Sequence, residues 1–129
     1  MQMDILSDAL TKMRHYEETG RKEVILKPTS NLLLNVLSTL QTNHYIGEVE
    51  KIDDGRGGKF RVQLLGRINK TAAIRPRFPV KVTDIVNMEK KYLPAVDFGI
   101  LVLSTPKGIM SQTEALKQHV GGRLLAYVY

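Results

Sequence analysis

The chain has 129 residues, which suffices for one compact domain or two small ones and excludes a large multidomain enzyme. Its composition, 43% hydrophobic and 25% charged, excludes a disordered chain, and the lack of cysteine excludes a disulfide framework and a cysteine-based zinc site. The net charge of +6 favours a polyanionic partner, most often nucleic acid.

The first half of the chain predicts two helices on one face of a small sheet. Apolar residues recur at helical spacing from Leu6 to Met13, Asp4 suits the N-cap of this helix, and Gly20 follows its end. Ser30 suits the N-cap of a second helix. The expected elements are, in chain order, a helix at residues 5–18, a strand at 23–27, a helix to about 41, and a hairpin of strands at 45–52 and 59–65.

The second half differs in pattern, which predicts a domain boundary. After Gly66 the chain has short strand-like segments interrupted by Pro76, Pro79 and Pro94. We therefore expect an N-terminal α/β domain at residues 1–66 and a β-rich C-terminal domain at 67–129. The fold class is α+β, with two small domains.

The C-terminal half also contains one buried strand and two short helices. Ser111 and Glu114 have capping-box spacing, so a helix is expected to begin at residue 112. The expected elements are a weak helix at residues 84–92, a buried strand at 98–103, a helix at 112–120 closed by Gly121 and Gly122, and a last strand at 124–129.

Positive charge is concentrated in the middle of the chain. Between Gly55 and Thr83 there is no Asp or Glu, whereas there are eight basic residues: Arg56, Lys59, Arg61, Arg67, Lys70, Arg75, Arg77 and Lys81. Such a run is about equally consistent with a solvated strand face and with a surface that binds a polyanion. The phosphates of a nucleic acid would supply the missing negative charge.

Residues for catalysis or metal binding do not occur at any recognisable spacing. The three histidines, His15, His44 and His119, are far apart in the sequence and have no neighbouring ligand types at metal spacing. The adjacent Asp53 and Asp54 stand in a Gly-rich loop, where they are ordinary turn residues. We expect no catalytic residue, no metal, no cofactor and no small-molecule substrate.

A polar segment at residues 104–111 follows the predicted buried strand, and we expect it to be a loop that leads to the next helix. Ser104, Thr105 and Ser111 supply hydroxyl groups, Lys107 supplies a cation, and Gly108 allows close approach to the backbone. These groups suit the phosphates, 2′-hydroxyls and base edges of irregular RNA. A polar connection in which Ser111 only caps a helix is the equally simple alternative. The position of the segment in the basic half of the chain favours RNA.

These residues occur in a chain that resembles the small-subunit ribosomal protein S8 family, in its archaeal and eukaryotic branch. The most specific stretch comprises Ser104 and Thr105 together with residues 108–110. The resemblance covers essentially all 129 positions. The other matching segments are, in chain order, residues 4–10, 26–30, 45–47, 66–70, 74–78, 92–95, 97–100, 114–115 and 121–122.

The resemblance implies a protein without enzymatic activity that binds the central domain of small-subunit rRNA early in assembly. It also implies that the protein remains in the cytoplasmic small ribosomal subunit beside other ribosomal proteins. The rRNA would be recognised by its shape and minor groove more than by its base sequence. With the basic run, the expected RNA-binding residues are Lys27, Ser30, Arg75, Arg77, Ser104, Thr105, Lys107, Gly108, Met110, Glu114, Gly121 and Gly122.

Several positions depart from the pattern that the family usually shows, and three of them bear on RNA binding. Pro106 stands where a serine is common, which removes a hydroxyl and a backbone donor. Asn31 stands where Lys or Arg is usual, so one phosphate contact would be weaker. Lys81 lies about where bacterial members have a tyrosine that stacks on a base, and a lysine cannot stack.

Two other classes of function remain as alternatives. A hydrolase that acts on nucleic acid would need a metal or a base cluster, which the scattered histidines do not provide. A free regulatory module would bind messenger RNA or a protein outside the ribosome. No apolar run approaches the roughly 20 residues needed to span a bilayer, so we expect a soluble protein with no membrane partner.

Overall fold

The chain divides into two compact units, Met1–Lys70 and Thr71–Tyr129. The structure is a computed structural model that describes residues 5–27, 29–53, 55, 57–95 and 98–129. Its helices and two antiparallel sheets confirm the predicted α+β class. The organisation into separate domains at residues 1–66 and 67–129 stays a prediction.

Residues just after the expected boundary form hydrogen bonds within the first unit. Arg67 Nη1 donates to the carbonyl oxygen of His44 at 3.1 Å. The backbone N–H of Ile68 donates to Glu17 Oε2 at 3.3 Å. The first unit therefore includes residues that follow Gly66.

The first unit is a three-stranded antiparallel sheet with two helices. The strand order is β1-β3-β2, and the elements are α1 (Ile5–Glu18), β1 (Glu23–Leu26), α2 (Asn31–Thr42), β2 (Ile46–Ile52) and β3 (Lys59–Leu64). These bounds agree with the expected elements to within one or two residues. The expected cap Asp4 lies outside the described residues.

Strand β3 shows why the helices cover one face of this sheet. Phe60, Val62 and Leu64 are buried, whereas Arg61 and Gln63 between them are exposed. Side chains alternate between the two faces of a strand, so all three buried residues point to the same side. The helices bring their own apolar stripes to this core: Leu6, Leu10 and Met13 from α1, and Leu33, Val36, Leu37 and Leu40 from α2.

The second unit combines a five-stranded antiparallel sheet with two α-helices and a 3-10 turn. The sheet order is β4-β8-β6-β7, and β5 also pairs with β8. The elements are β4 (Thr71–Ala73), β5 (Pro79–Val80), a 3-10 turn (Val82–Asp84), α3 (Ile85–Tyr92), β6 (Ile100–Thr105), β7 (Gly108–Ser111), α4 (Gln112–Gln118) and β8 (Gly122–Val128).

One face of this sheet is covered by α3 and α4. Leu101, Leu103 and Leu124 of the sheet pack with Ile85 of α3 and Ala115 of α4, and all five are fully buried. Burial of side chains of this kind stabilises the fold by about 1.5–3 kcal/mol for each large aliphatic residue.

The segment at residues 104–111, which was expected to be a loop, is a β-hairpin. Strand β6 continues to Thr105 and strand β7 begins at Gly108, and these two residues pair across the turn. Leu103 pairs with Met110 in the same ladder. The apolar residues on both sides therefore extend the sheet through the polar segment, so the expectation of a loop was wrong.

The end of α4 also differs from the expectation. The helix ends at Gln118, and His119 adopts a left-handed conformation with φ 54° and ψ 45°. The backbone N–H of Val120 then donates to the carbonyl oxygen of Ala115 at 3.1 Å. Gly121 and Gly122 do not close the helix; Gly122 begins β8 instead.

Candidate nucleic-acid interface

Thr105 organises the turn of the β6–β7 hairpin. Its hydroxyl donates a hydrogen bond to the carbonyl oxygen of Gly108 at 2.7 Å and accepts one from the backbone N–H of Lys107 at 3.1 Å. The residue is only 9% exposed. A hydroxyl has one proton to donate, and here the turn uses it. Thr105 therefore shapes the hairpin tip.

The tip of the hairpin presents three exposed residues, Pro106, Lys107 and Gly108. Pro106 suits the first position of the turn because its φ is fixed near −65° and it needs no hydrogen-bond acceptor. Gly108 has φ +117°, a value that other residues rarely adopt, and no atom would obstruct a Cβ there. The Lys107 ammonium is therefore carried on a tight and well-defined turn.

The sheet face next to this tip carries Ser104 and Arg123. These residues pair across β6 and β8, and they alternate with the core residues Leu103 and Leu124. Their side chains therefore leave the sheet on the face opposite to the helices. Ser104 is half-buried and Arg123 is exposed.

Arg77 and Arg123 are joined by a hydrogen bond. Arg123 Nη1 donates to the carbonyl oxygen of Arg77 at 2.8 Å. Both side chains are exposed, as is Arg75 two residues earlier. A guanidinium has five N–H donors in a planar fork, so Arg123 retains donors for an anion after this contact. The connection between β4 and β5 is thereby linked to the start of β8.

The basic run is divided between the two units and is not free of acidic neighbours. In the first unit, Arg61 Nη1 lies 3.2 Å from Glu50 Oε1, on the strand that pairs with it. The interpretation that this run lacks a neutralising acid is therefore wrong for Arg61, because sequence distance concealed the cross-strand partner. Arg56 lies outside the described residues.

Gly121 and Gly122 allow the strands of the second unit to approach closely. A Cβ on Gly122 would lie 2.2 Å from the carbonyl oxygen of Ser104, and a Cβ on Gly121 would lie 2.5 Å from that of Val80. Real Cβ atoms essentially never come within 3.0 Å of such atoms. Both glycines therefore set the position of β8 between β5 and β6, and with it the position of Arg123.

The expected site residue Met110 and its neighbour Ser111, a hydroxyl of the polar segment, have structural roles. Met110 is 8% exposed and belongs to the core of the second unit. Ser111 Oγ accepts a hydrogen bond from the backbone N–H of Glu114 at 3.4 Å and caps α4, as the alternative interpretation proposed. Glu114 itself is exposed, and its Oε1 accepts a hydrogen bond of 2.9 Å from Gln118 Nε2.

The two expected site residues of the first unit lie at the junction of β1 and α2. Lys27 directly follows β1 and is exposed. Ser30 is half-buried and caps α2, since its Oγ accepts a hydrogen bond from the backbone N–H of Leu33 at 3.0 Å. The cap uses the Ser30 hydroxyl oxygen only as an acceptor, so the hydroxyl proton can still be donated to another group.

Sequence reasoning did not select Arg123 or Gln112. Arg123 follows the two glycines and is the only basic residue after His119. Its position beside two expected site residues could have identified it from the sequence. Gln112 is 3% exposed, and its Oε1 accepts a hydrogen bond of 2.8 Å from the backbone N–H of Leu101. A buried glutamine at the start of a helix has no comparable sequence signal.

The described residues include neither a metal-binding cluster nor a membrane-crossing helix. Across them, no group of three or more His, Asp or Glu side chains is placed to hold a metal ion. In the same part of the chain, no helix combines the length and apolar character needed to cross a membrane.

The sequence model of the family described as ribosomal protein S8 matches residues 4–129. The chain belongs to the ribosomal protein S8 family. It is 52% identical over 127 residues to the small ribosomal subunit protein uS8 of Pyrobaculum islandicum, with 98% of each chain covered. It is 51% identical to the protein of the same name from Pyrobaculum neutrophilum, with the same coverage.

Membership of the S8 family establishes the class of function. The family is one of structural proteins of the small ribosomal subunit that bind rRNA and neighbouring ribosomal proteins, and it is not a family of enzymes. The predicted function, partners and cytoplasmic location in the small subunit are thereby confirmed. The alternative of a hydrolase is excluded by the same finding.

Proposed function

We propose that this S8 protein binds the central domain of small-subunit rRNA through one end of the sheet in its second unit. The binding surface comprises the hairpin tip, the outer sheet face beside it, the connection between β4 and β5, and the exposed Glu114 of α4. Its contacting residues are Arg75, Arg77, Ser104, Lys107, Gly108 and Glu114, to which the geometry adds Arg123.

The observation that carries this proposal is the pairing of Ser104 with Arg123 beside the exposed Lys107 turn. A hydroxyl, a guanidinium and an ammonium lie at one end of one sheet, next to a turn whose glycine leaves its backbone open. Cations suit phosphates, and hydroxyls and open backbone suit 2′-hydroxyl groups and base edges. The surface combines groups for backbone contact with groups for shape recognition.

Glu114 is the acidic member of the surface and cannot bind a phosphate favourably. Its carboxylate accepts hydrogen bonds, so it suits a 2′-hydroxyl or the amino group of a base. The Gln118 amide fixes one of its oxygens and leaves the other for the RNA. Glu114 would therefore contribute to specificity more than to affinity.

Four other residues of the expected set position the residues that contact the rRNA. Thr105 shapes the turn that carries Lys107, Met110 anchors β7 in the core, and Gly121 and Gly122 hold β8 against its neighbours. Lys27 and Ser30 of the first unit contact the RNA backbone, Lys27 by its charge and Ser30 by its hydroxyl proton.

Salt titration of binding to a central-domain rRNA fragment tests this proposal. Each phosphate that a Lys or Arg neutralises releases counterions, so log K falls with log salt concentration by roughly 0.9 per contact on a duplex. We expect a slope of several units for the full chain. Affinity that does not change between low and moderate salt would contradict the proposal.

Sedimentation of native particles distinguishes a structural constituent of the small subunit from a free regulatory module. A free regulatory module would leave the small subunit when native particles are centrifuged, whereas a structural constituent sediments with them. We expect the protein to sediment with the small subunit at moderate salt.

A further inference from the structure

The second unit has a groove between α3 and α4, on the helix side of its sheet. Its cavity volume is about 610 Å³, within the range of roughly 300–1,000 Å³ that is usual for ligand pockets. Ser104 and Arg123 leave the sheet on the opposite face, so the groove is separate from the part of the proposed rRNA surface that the sheet carries. Of the proposed rRNA contacts in this unit, Glu114 alone lies on one of the two helices of the groove.

The two walls of the groove are regular helix faces. Val86, Glu89, Lys90 and Leu93 follow one another at the spacing i, i+3, i+4 and i+7 along α3 and its C-terminal end. Residues at this spacing share one side of a helix. The facing wall is formed by Thr113, Leu116 and Lys117 of α4, and Pro94 and Ala95 close one end.

Apolar side chains line the groove and are incompletely covered. Val86 is 48% exposed, and Leu116 is half-buried although it also packs against the core. A partly exposed apolar stripe on a helix normally covers another surface. The groove therefore has the character of an interface from which the partner has been removed.

The charges around the groove are mostly positive. Lys90 on one wall and Lys117 on the other are both exposed, and neither belongs to an ion pair among the described residues. Glu89, the acid of the lining, is half-buried and accepts a long hydrogen bond of 3.5 Å from Gln112 Nε2. The groove is thus an apolar channel with an ammonium group available on each side.

We propose that this groove binds a segment of another small-subunit ribosomal protein in which a large apolar side chain is flanked by Asp or Glu. The apolar residue would fill the space between Val86 and Leu116, and the carboxylates would meet Lys90 and Lys117. RNA fits less well, because its phosphates would gain nothing from the apolar floor of the groove. Helix-lined grooves commonly take peptide segments in this way.

Site-directed photocrosslinking in the assembled small subunit tests the proposal. The chain lacks cysteine, so Thr113→Cys introduces a single thiol in the groove for a benzophenone label. Asn87→Cys provides the matched control, since Asn87 is exposed on α3 but does not line the groove. After irradiation, nuclease and protease digestion with mass spectrometry identifies what each label has reached.

The expected result is a crosslink from residue 113 to a ribosomal protein segment that has a large apolar residue next to Asp or Glu. Crosslinks to rRNA, crosslinks to a segment of another composition, or a yield no higher than that from residue 87 would each overturn the proposal. The labelled chain is first shown to bind the rRNA fragment as the unlabelled chain does. If the crosslink is then absent, the groove proposal fails while the proposed rRNA contacts are unaffected.

A charge reversal provides the second measurement. The double change Lys90→Glu and Lys117→Glu, made in the Thr113→Cys chain, is expected to lower the crosslink yield by about fivefold, as for the loss of two exposed ion pairs. Lys91→Glu is the control, because Lys91 is exposed outside the groove and lies over the rings of Phe78 and Tyr92. Equal yields from the two charge variants would also overturn the proposal.

Discussion

The hydroxyl of Thr105 donates a 2.7 Å hydrogen bond to the carbonyl oxygen of Gly108, the residue with which it pairs across the hairpin. The hydroxyl oxygen of Thr105 also accepts a hydrogen bond from the backbone N–H of Lys107. A side chain that looks like an RNA ligand in the sequence is therefore a structural part of the turn. The exposed Lys107 next to it is the group that remains available for RNA.

Replacing Thr105 by valine is expected to lower the free energy of unfolding by about 1–3 kcal/mol. The change keeps the size of the side chain but removes both hydrogen bonds of the turn. Urea unfolding of the full chain measures the loss. Thr113→Val, at an exposed position on α4, is the control and should change stability by no more than about 0.5 kcal/mol. A Thr105→Val chain as stable as the unchanged protein would mean that the turn does not depend on this hydroxyl.

Lys107→Ala is expected to weaken rRNA binding and to reduce the salt slope by about one unit, as for the loss of one phosphate contact. Stability should stay within about 0.5 kcal/mol, because Lys107 is exposed and only its backbone N–H takes part in the turn. The measurement is the affinity for a central-domain fragment at several salt concentrations. Lys117→Ala is the matched control on α4, and its slope should equal that of the unchanged chain. Equal slopes for the two variants would show that the hairpin tip does not touch phosphate.

Gly122→Ala is expected to destabilise the chain by about 1–3 kcal/mol, because a Cβ at this position would overlap the carbonyl oxygen of Ser104. Binding to the rRNA fragment should fall as well, since the displaced strand carries Arg123. Gly20→Asn is the control: Gly20 has φ +76° with open space around it, a conformation that asparagine tolerates. Full stability and full affinity of Gly122→Ala would mean that β6 and β8 can separate without affecting the site.

Most of the fold could be predicted because its elements have strong local patterns. The stripes of α1 and α2 and the alternation in β3 repeat over enough residues to be recognised. Strand β7 could not be predicted, because four residues after Pro106 and Lys107 give no period of their own. Its pairing with β6, and in particular Leu103 with Met110, comes from tertiary packing.

The site could be predicted in part, for a related reason. The sequence identifies Lys107 and the arginines as cations, but it does not show that Arg123 bonds to a backbone carbonyl 46 positions away. Nor does it show that Met110 points into the core, since the strand register decides on which face a side chain lies. Residue types indicate candidate chemistry, whereas register decides which candidates reach the surface.

Gln112→Leu is expected to lower the free energy of unfolding by about 1–3 kcal/mol. The substitution leaves the backbone N–H of Leu101 without its acceptor in the centre of the sheet, where water cannot replace it. Gln118→Leu, which removes a hydrogen bond to the exposed Glu114, should change stability by no more than about 0.5 kcal/mol. Equal stability of the two variants would show that another group satisfies Leu101.

Substitutions at Ser30 can separate capping from RNA contact. Aspartate and asparagine cap helices about as well as serine, whereas alanine costs about 0.5–2 kcal/mol. Ser30→Ala should therefore reduce the free energy of unfolding, and Ser30→Asn and Ser30→Asp should retain it. If Ser30 also contacts the RNA backbone, the negative charge of Ser30→Asp will repel a phosphate, and this variant should bind the rRNA fragment more weakly than the neutral Ser30→Asn. The difference should shrink as salt screens the charge. Equal affinity of the two capped variants at low salt would show that Ser30 serves α2 alone and that Lys27 is the remaining candidate contact at this junction.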